Sequence, residues 1–402
     1  MTELFAMLVF VLLSLAVVLE LAIRRWIRAR AQYYVLPPGL RLRLYPDLGI
    51  FPTLEPVVRF EVNSEGERGR EVPRAVDGLY RVLVAGGSQP EGYLLDQDTA
   101  WPGALHRLLE TPAHLRALET STVHVGNIAR SGVGSEALDL IFERVLGRYP
   151  RLQMIVVLVG ASDVLRWLEA GAPSSPVAPV PVSDVFRCHP ELISGWQPRE
   201  LALVELCRRL RRHWWRPVDV HRNAGRWIGK ARAMRAHAKV IRTTMPAPDT
   251  MLDHFELHFR KALQKAKAHA DRVLVVRQPW FDARWAPDEA ACMWHGGIGK
   301  AWQEELTDYY SLPVLSRLMA HLDARAAEVA RDLDVEQLDL MPILEPSLDN
   351  YYDFFHVTPV GSRAIAAAVA DTILRPISSV HTATPGGDAR AELQASADAR
   401  AS

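Results

Sequence analysis

The sequence predicts an α/β protein, a three-layer α/β/α sandwich around a five-stranded parallel sheet, with one N-terminal transmembrane helix. Three patterns predict it. Short apolar runs recur along the chain, helical stretches fall between them, and a separate long apolar stretch stands at the N-terminus. Runs such as Met-Ile-Val-Val-Leu-Val from Met154 are apolar at every position instead of alternating, which suits strands covered on both faces of a parallel sheet. Alternation of such strands with helices implies right-handed crossovers and a layer of helices on each face.

The N-terminal stretch Leu4–Ile23 carries Glu20 as its only charge, and it is long enough to cross a hydrocarbon core of roughly 30 Å. No basic residue precedes it and no small-x-small site follows it, so it reads as a retained single-pass anchor, not a cleaved signal peptide. Arg24, Arg25, Arg28 and Arg30 follow the span, a charge bias that by itself would keep the rest of the chain cytoplasmic. Residues 1–30 are thus expected to be anchor and basic flank, and residues 31–75 a connector with little regular pattern.

The α/β domain is expected over residues 76–375. Its strands are read at Arg81–Ala85, Thr122–Asn127, Met154–Gly160, Arg272–Arg277 and Val335–Leu340. Helices are read at Trp101–Glu110, Ser135–Leu146, Leu252–His269, Val314–Leu333 and Pro359–Leu374, the last with Thr358 as N-cap and Pro359 at its first position. One long insertion, about 172–245, breaks the rhythm. It opens on the proline-rich Ala172–Val182 and continues into Cys207–Arg242, which is densely basic, holds Asp219 as its single acid, and carries Trp214, Trp215 and Trp227. Two readings fit the basic part: a helical pair covering the sheet edge, or an interfacial segment held near anionic headgroups or an acidic glycan. Residues 376–402 are small and polar and are expected to be a disordered tail.

Lysine plus arginine balance aspartate plus glutamate at 47 each, so no global charge draws the chain to nucleic acid. Cys188, Cys207 and Cys292 are scattered, odd in number and without metal-site spacing. Gly296–Ala301 is not a phosphate loop, because Trp294 stands at the first-glycine position and Ala301 at the Ser/Thr position. His254 and His258 are four apart but lack the glutamate directly after the first histidine that a zinc motif needs.

The polar residues gather at the carboxyl ends of the expected strands, where open α/β sheets bind ligands. The first strand exits into Gly86-Gly87-Ser88, the second into Gly126–Ser135, the third into Val159–Val164, and after the fifth comes Tyr351–Ser362. A flavodoxin-like strand order, 2-1-3-4-5, sets the first and third exits side by side, with Ser88 and Ser162 facing one crevice. A serine hydroxyl needs a base to become a nucleophile. His356 can be that base, and Asp353, three residues earlier, can hold its Nδ1 proton. The N–H groups of Ser88 and of the Ala129–Gly132 turn, with the Ser162 hydroxyl, can supply oxyanion donors.

These residues resemble the motif blocks of the SGNH (GDSL-type) hydrolases. Gly86-Gly87-Ser88, followed by Thr-Ala-Trp-Pro at Thr99–Pro102, matches the nucleophile block in its Gly-Gly-Ser form. Asn127, Ala129 and Gly132 match the second block, Gly160-Ala161-Ser162-Asp163 the third, and Asp353 with His356 the last. The stretches at Phe60–Pro73 and Val276–Pro279, with the end of the apolar span, resemble a membrane-anchored bacterial-type subgroup. The resemblance implies a serine ester hydrolase with Ser88, Asp353 and His356 as catalytic residues and Ser88, Ala129 and Ser162 at the oxyanion hole. It implies no metal or organic cofactor, and an acyl or acetyl ester of a carbohydrate or lipid as substrate. It also leans toward an extracytoplasmic domain, against the charge bias. An acyltransferase on the same fold, or an impaired glycan- or lipid-binding relative, are the alternatives. Two positions depart from the pattern: Ala129 replaces a glycine, and Ser162 replaces an asparagine, offering one donor where an amide offers two.

Overall fold

The computed structural model describes residues 2–73, 77–190, 201–215 and 217–375; the expected tail lies outside them. The strands among these residues are β1 (Arg41–Pro46), β2 (Val58–Glu61), β3 (Leu79–Gly86), β4 (Thr122–Asn127), β5 (Leu152–Leu158), β6 (Asp219–Ala224), β7 (Val240–Arg242), β8 (Ala270–Val276), β9 (Asp308–Tyr310) and β10 (Glu336–Leu338). Five of them, all parallel, build the central sheet in the order β10-β8-β5-β3-β4. Counted from the β4 edge, this is the expected 2-1-3-4-5.

The all-apolar runs are what bury this sheet: Val82, Leu83, Val84, Ile155, Val156 and Val157 expose nothing. Two groups of helices cover it. Trp101–Leu109 packs with Pro359–Leu374, while Asp249–His269 packs with both Ser135–Val145 and Leu312–Asp332. His258 meets Asp139 at 2.9 Å and His254 approaches Glu136 at 3.5 Å, so both histidines of the zinc-like spacing face carboxylates of the neighbouring helix. Thr358 caps the last helix, accepting from the amides of Val360 and Gly361 at 3.2 and 3.3 Å.

The 31–75 segment, expected to have little regular pattern, contains two strands. β1 pairs antiparallel with β2 and parallel with β6, a strand of the insertion. The Arg41–Pro46 segment alternates, with Leu42 and Leu44 turned inward between arginines. Beyond it Glu67 is fully buried, bonded to His124 Nε2 at 2.8 Å, Arg81 Nη2 at 2.9 Å and Asn63 Nδ2 at 3.0 Å. A Cβ on Gly126 would stand 2.4 Å from the Glu67 carboxyl carbon, so β4 carries a glycine where this carboxylate crosses it. Residues that read as a link thus pair with β6 and contact β3 and β4.

The N-terminal helix, Thr2–Arg30, is long and apolar enough to cross a membrane, a test that a signal sequence also passes. Its apolar stretch has one acid, and that acid is not free. Glu20 accepts from the amides of Ala202 and Leu203 at 2.7 and 3.1 Å and from Arg24 at 2.9 Å. The Ala202–Trp215 helix therefore hangs by its first turn from the N-terminal helix, where a carboxylate satisfies its unpaired amides.

Candidate functional site

The nucleophile candidate is mounted where β3 meets β5. Gly86 has φ of +152°, and a Cβ there would lie 1.9 Å from the Leu158 carbonyl oxygen. The Gly87 amide donates to that same oxygen at 3.1 Å. No other residue type tolerates both the conformation and the approach. The chain then turns into the short Ser88–Glu91 helix with Ser88 at its first position.

His356 reaches this serine from the loop after β10. Its Nε2 lies 2.8 Å from Ser88 Oγ, and its Nδ1 lies 2.9 Å from both carboxylate oxygens of Asp353. The carboxylate fixes the tautomer: Nδ1 donates, leaving Nε2 to accept the serine proton. Asp353 is itself held, accepting from the amides of Phe355 and His356 at 3.0 and 2.9 Å and from Trp294 Nε1 at 3.0 Å. Burial acts to raise the Asp353 carboxyl, but the neighbouring His356 imidazole and these donors outweigh it and hold it far below the usual carboxylate range. For His356 burial acts downward, and the Asp353 charge overcomes it, so its pKa is raised above the ordinary 6.5. Tyr352 stacks nearly parallel on the His356 ring, centroids 5.5 Å apart.

The oxyanion expectation changes in one member. Ala129 is fully buried and its amide donates to Asn127 Oδ1 at 2.9 Å, so it is not available. Along the same turn the Arg130 amide donates to the Gly86 carbonyl at 3.0 Å and the Ser131 amide to Glu91 at 2.9 Å. In this turn only the Gly132 amide has no partner among the described residues, and Gly132, at φ of +83°, borders the same cleft as Ser88. Ser162 stands in the first turn of the Ala161–Glu169 helix, its Oγ 3.6 Å from where a Gly87 Cβ would be. The candidate donors bordering the cleft beside Ser88 Oγ are thus the Ser88 amide, the Gly132 amide and the Ser162 hydroxyl. Asp163 serves the framework instead. It accepts from the Ser135 amide at 2.9 Å and the Ser135 hydroxyl at 2.6 Å, tying the second and third exits together.

Over these groups opens a cleft of about 570 Å³. Its far wall comes from the insertion, through Gly225, Trp227 and Ile228. Trp227 meets Trp294 edge-on at 4.9 Å and Trp302 at 6.3 Å. The insertion also braces the histidine loop. Arg232 donates to the carbonyls of Tyr352 at 2.7 Å, Ile50 at 2.6 Å and Cys292 at 3.0 Å. Neither Trp294 nor Arg232 stands in a recognisable motif, and their roles depend on contacts across 59 and 120 residues of chain. His295, beside Trp294, is buried with neither ring nitrogen hydrogen-bonded among the described residues, and burial pushes it down to about 3, so it stays neutral. A separate cavity of about 440 Å³, lined by Arg30, Tyr34, Arg41 and Arg209 among others, lies at the foot of the N-terminal helix, away from Ser88.

No family model matches the chain, and no curated protein matches it. Solved structures do align. An acetylxylan esterase from Geobacillus stearothermophilus is 12% identical with a TM-score of 0.39, over 73% of this chain and 94% of that one. A member of the lipolytic G-D-S-L family from Veillonella parvula is 9% identical with a TM-score of 0.38, over 74% of this chain and 100% of that one.

Proposed function

We propose that the protein is a serine ester hydrolase of the SGNH type, tethered to a membrane by its N-terminal helix. The observation that carries the first part is the unbroken relay Ser88 Oγ–His356 Nε2 at 2.8 Å and His356 Nδ1–Asp353 at 2.9 Å, at the floor of an open cleft. In this reading Ser88 Oγ attacks the ester carbonyl while His356 Nε2 takes its proton. Asp353 stabilises the resulting imidazolium. The carbonyl oxygen becomes an oxyanion against the amides of Ser88 and Gly132 and the hydroxyl of Ser162. As the intermediate collapses, His356 returns the proton to the leaving alkoxide and an acyl-Ser88 ester remains. Water, deprotonated by His356, then repeats the sequence and releases the acid. Passing the acyl group to a sugar hydroxyl instead of water would make the same site a transferase, and product analysis separates the two.

The tether reading is supported by the exposed apolar side chains from Leu4 to Leu21 and by what Glu20 holds. The Ala202–Trp215 helix keeps Leu203, Val204, Trp214 and Trp215 exposed beside arginines such as Arg208 and Arg211, a composition suited to the boundary between lipid and headgroups. Together with the basic residues up to Arg242 it would rest on the membrane surface. Flotation of the full chain with liposomes tests this: binding strengthened by anionic lipid is expected, and indifference to lipid charge and salt rejects the surface contact.

A fluorophosphonate probe tests the catalytic part. It is expected to label the wild-type protein at Ser88 and to leave Ser88→Ala unlabelled. A wild-type protein that resists the probe while binding ester analogues rejects the hydrolase reading.

A further inference from the structure

The cleft is lined by three arginines that the ester chemistry does not use, and two of them, Arg130 and Arg187, have no carboxylate hydrogen-bonded to them among the described residues. Arg130 belongs to the turn that ends at Gly132, so its side chain starts two residues from a proposed oxyanion donor. It lines the cleft and donates to the Val185 carbonyl at 2.8 Å; among the described residues no carboxylate is hydrogen-bonded to it. Arg187, exposed, also lines the cleft. Burial and the nearby Arg187 charge together push Arg130 down to about 10. Two guanidinium groups facing one space without a bound carboxylate repel each other, and that cost is removed when an oxyanion enters between them.

The acids around them do not fill that role. Glu91 also borders the cleft and acts on Arg130 through space, but its carboxylate is committed to the amide and hydroxyl of Ser131. Asp184 acts on Arg130 through space only. Glu169 sits further along the cleft, where burial raises it to about 7 and leaves it partly neutral. The third cleft arginine, Arg166, is already engaged, donating to the Ala178 carbonyl at 2.9 Å and lying 3.7 Å from Glu136. On the opposite wall Trp227 and Trp302 present indole surface, about half-exposed for Trp302, on which the C–H face of a sugar ring can pack by dispersion.

We infer that the cleft takes an acyl ester carried on an anionic carbohydrate, with a carboxylate, sulfate or phosphate of the sugar docked between Arg130 and Arg187, the ring against Trp227 and Trp302, and the ester carbonyl at Ser88. The inference rests on the ester-hydrolase reading for its last element only.

The test uses the full chain in detergent micelles and matched substrates: O-acetylated oligogalacturonate, and the same oligomer with its carboxylates methyl-esterified. A charge-assisted pair with arginine predicts kcat/KM about 10- to 100-fold higher for the anionic member. In Arg187→Gln that ratio should fall toward one; Arg130→Gln is expected to do the same, and exposed Arg187 covers the case in which Arg130→Gln fails to fold. A wild-type ratio of one or below overturns the subsite while leaving the hydrolase intact. Binding of unacetylated oligogalacturonate, a sulfated disaccharide and a sugar phosphate, followed by tryptophan fluorescence, reads the subsite without any chemistry. Saturable quenching lost in Arg187→Gln supports it and shows which anion is preferred, even if no ester is turned over; no quenching by any of the three overturns it.

Discussion

The two walls of the cleft are built in different ways. The wall proposed to react comes from the ends of the parallel sheet, where β3, β4, β5 and β10 each exit into one loop of the site: Ser88, Gly132, Ser162 and His356. The facing wall comes from the insertion, in which β6 joins β1 at a second small sheet and delivers Gly225, Trp227 and Ile228 to the cleft. The first wall is rigid because buried strands pin it: Gly87 to Leu158, Arg130 to Gly86. The second is held by side chains, Arg232 above all. Chemistry is therefore expected to reside in the first wall, and packing against the substrate's apolar face in the second.

Substitutions can break that division. Ser88→Ala should remove activity on every substrate, by roughly 10⁴- to 10⁶-fold in kcat, as loss of a triad nucleophile does elsewhere, with the folding transition unchanged by circular dichroism. Ser162→Ala should lower kcat by about 10²-fold with KM little altered, because it removes a donor that counts in the transition state. Ser162→Asn, which restores the amide, should match or exceed the wild type; a slower Asn variant would mean that Ser162 does not face the oxyanion.

On the facing wall, Arg232→Ala frees three backbone carbonyls and should cost about 3 kcal/mol of stability and lower kcat modestly through a loosened His356 loop, read by denaturant titration beside kinetics. Trp227→Ala should raise KM for a sugar ester by about tenfold while kcat for a small aryl acetate stays within about twofold. If Trp227→Ala lowers kcat on both, the walls are not separable.

The smallest effect is in pH. His356 must be neutral to accept the serine proton, and its pKa is raised above 6.5 by Asp353. Activity should therefore rise with pH through that raised value, and fall below it as the imidazole protonates. Trp294→Phe removes a donor to Asp353, which raises the carboxyl and leaves the His356 limb displaced in the pH profile of kcat/KM.

The same division explains what can be read from the chain. The strands are legible because burial on both faces leaves an unbroken apolar run, and Thr122–Asn127 coincides with β4 residue for residue. Ser88, Asp353 and His356 are legible because polar residues at strand exits have few other reasons to cluster. Ala129 fails as a donor because which amide of a turn is free depends on Asn127 folding back on it, a bond that spacing does not encode. β6 leaves no signal because it is exposed except at Ala224 and shows no apolar run. Trp227, Trp294 and Arg232 acquire their roles only through contacts between distant segments.

The most direct measurement is the covalent intermediate itself. Mixing the full chain with p-nitrophenyl acetate, quenching in acid and digesting should yield the Ser88 peptide carrying one acetyl group, absent from Ser88→Ala. Turnover without acetyl on Ser88, or with it on another residue, would contradict the account.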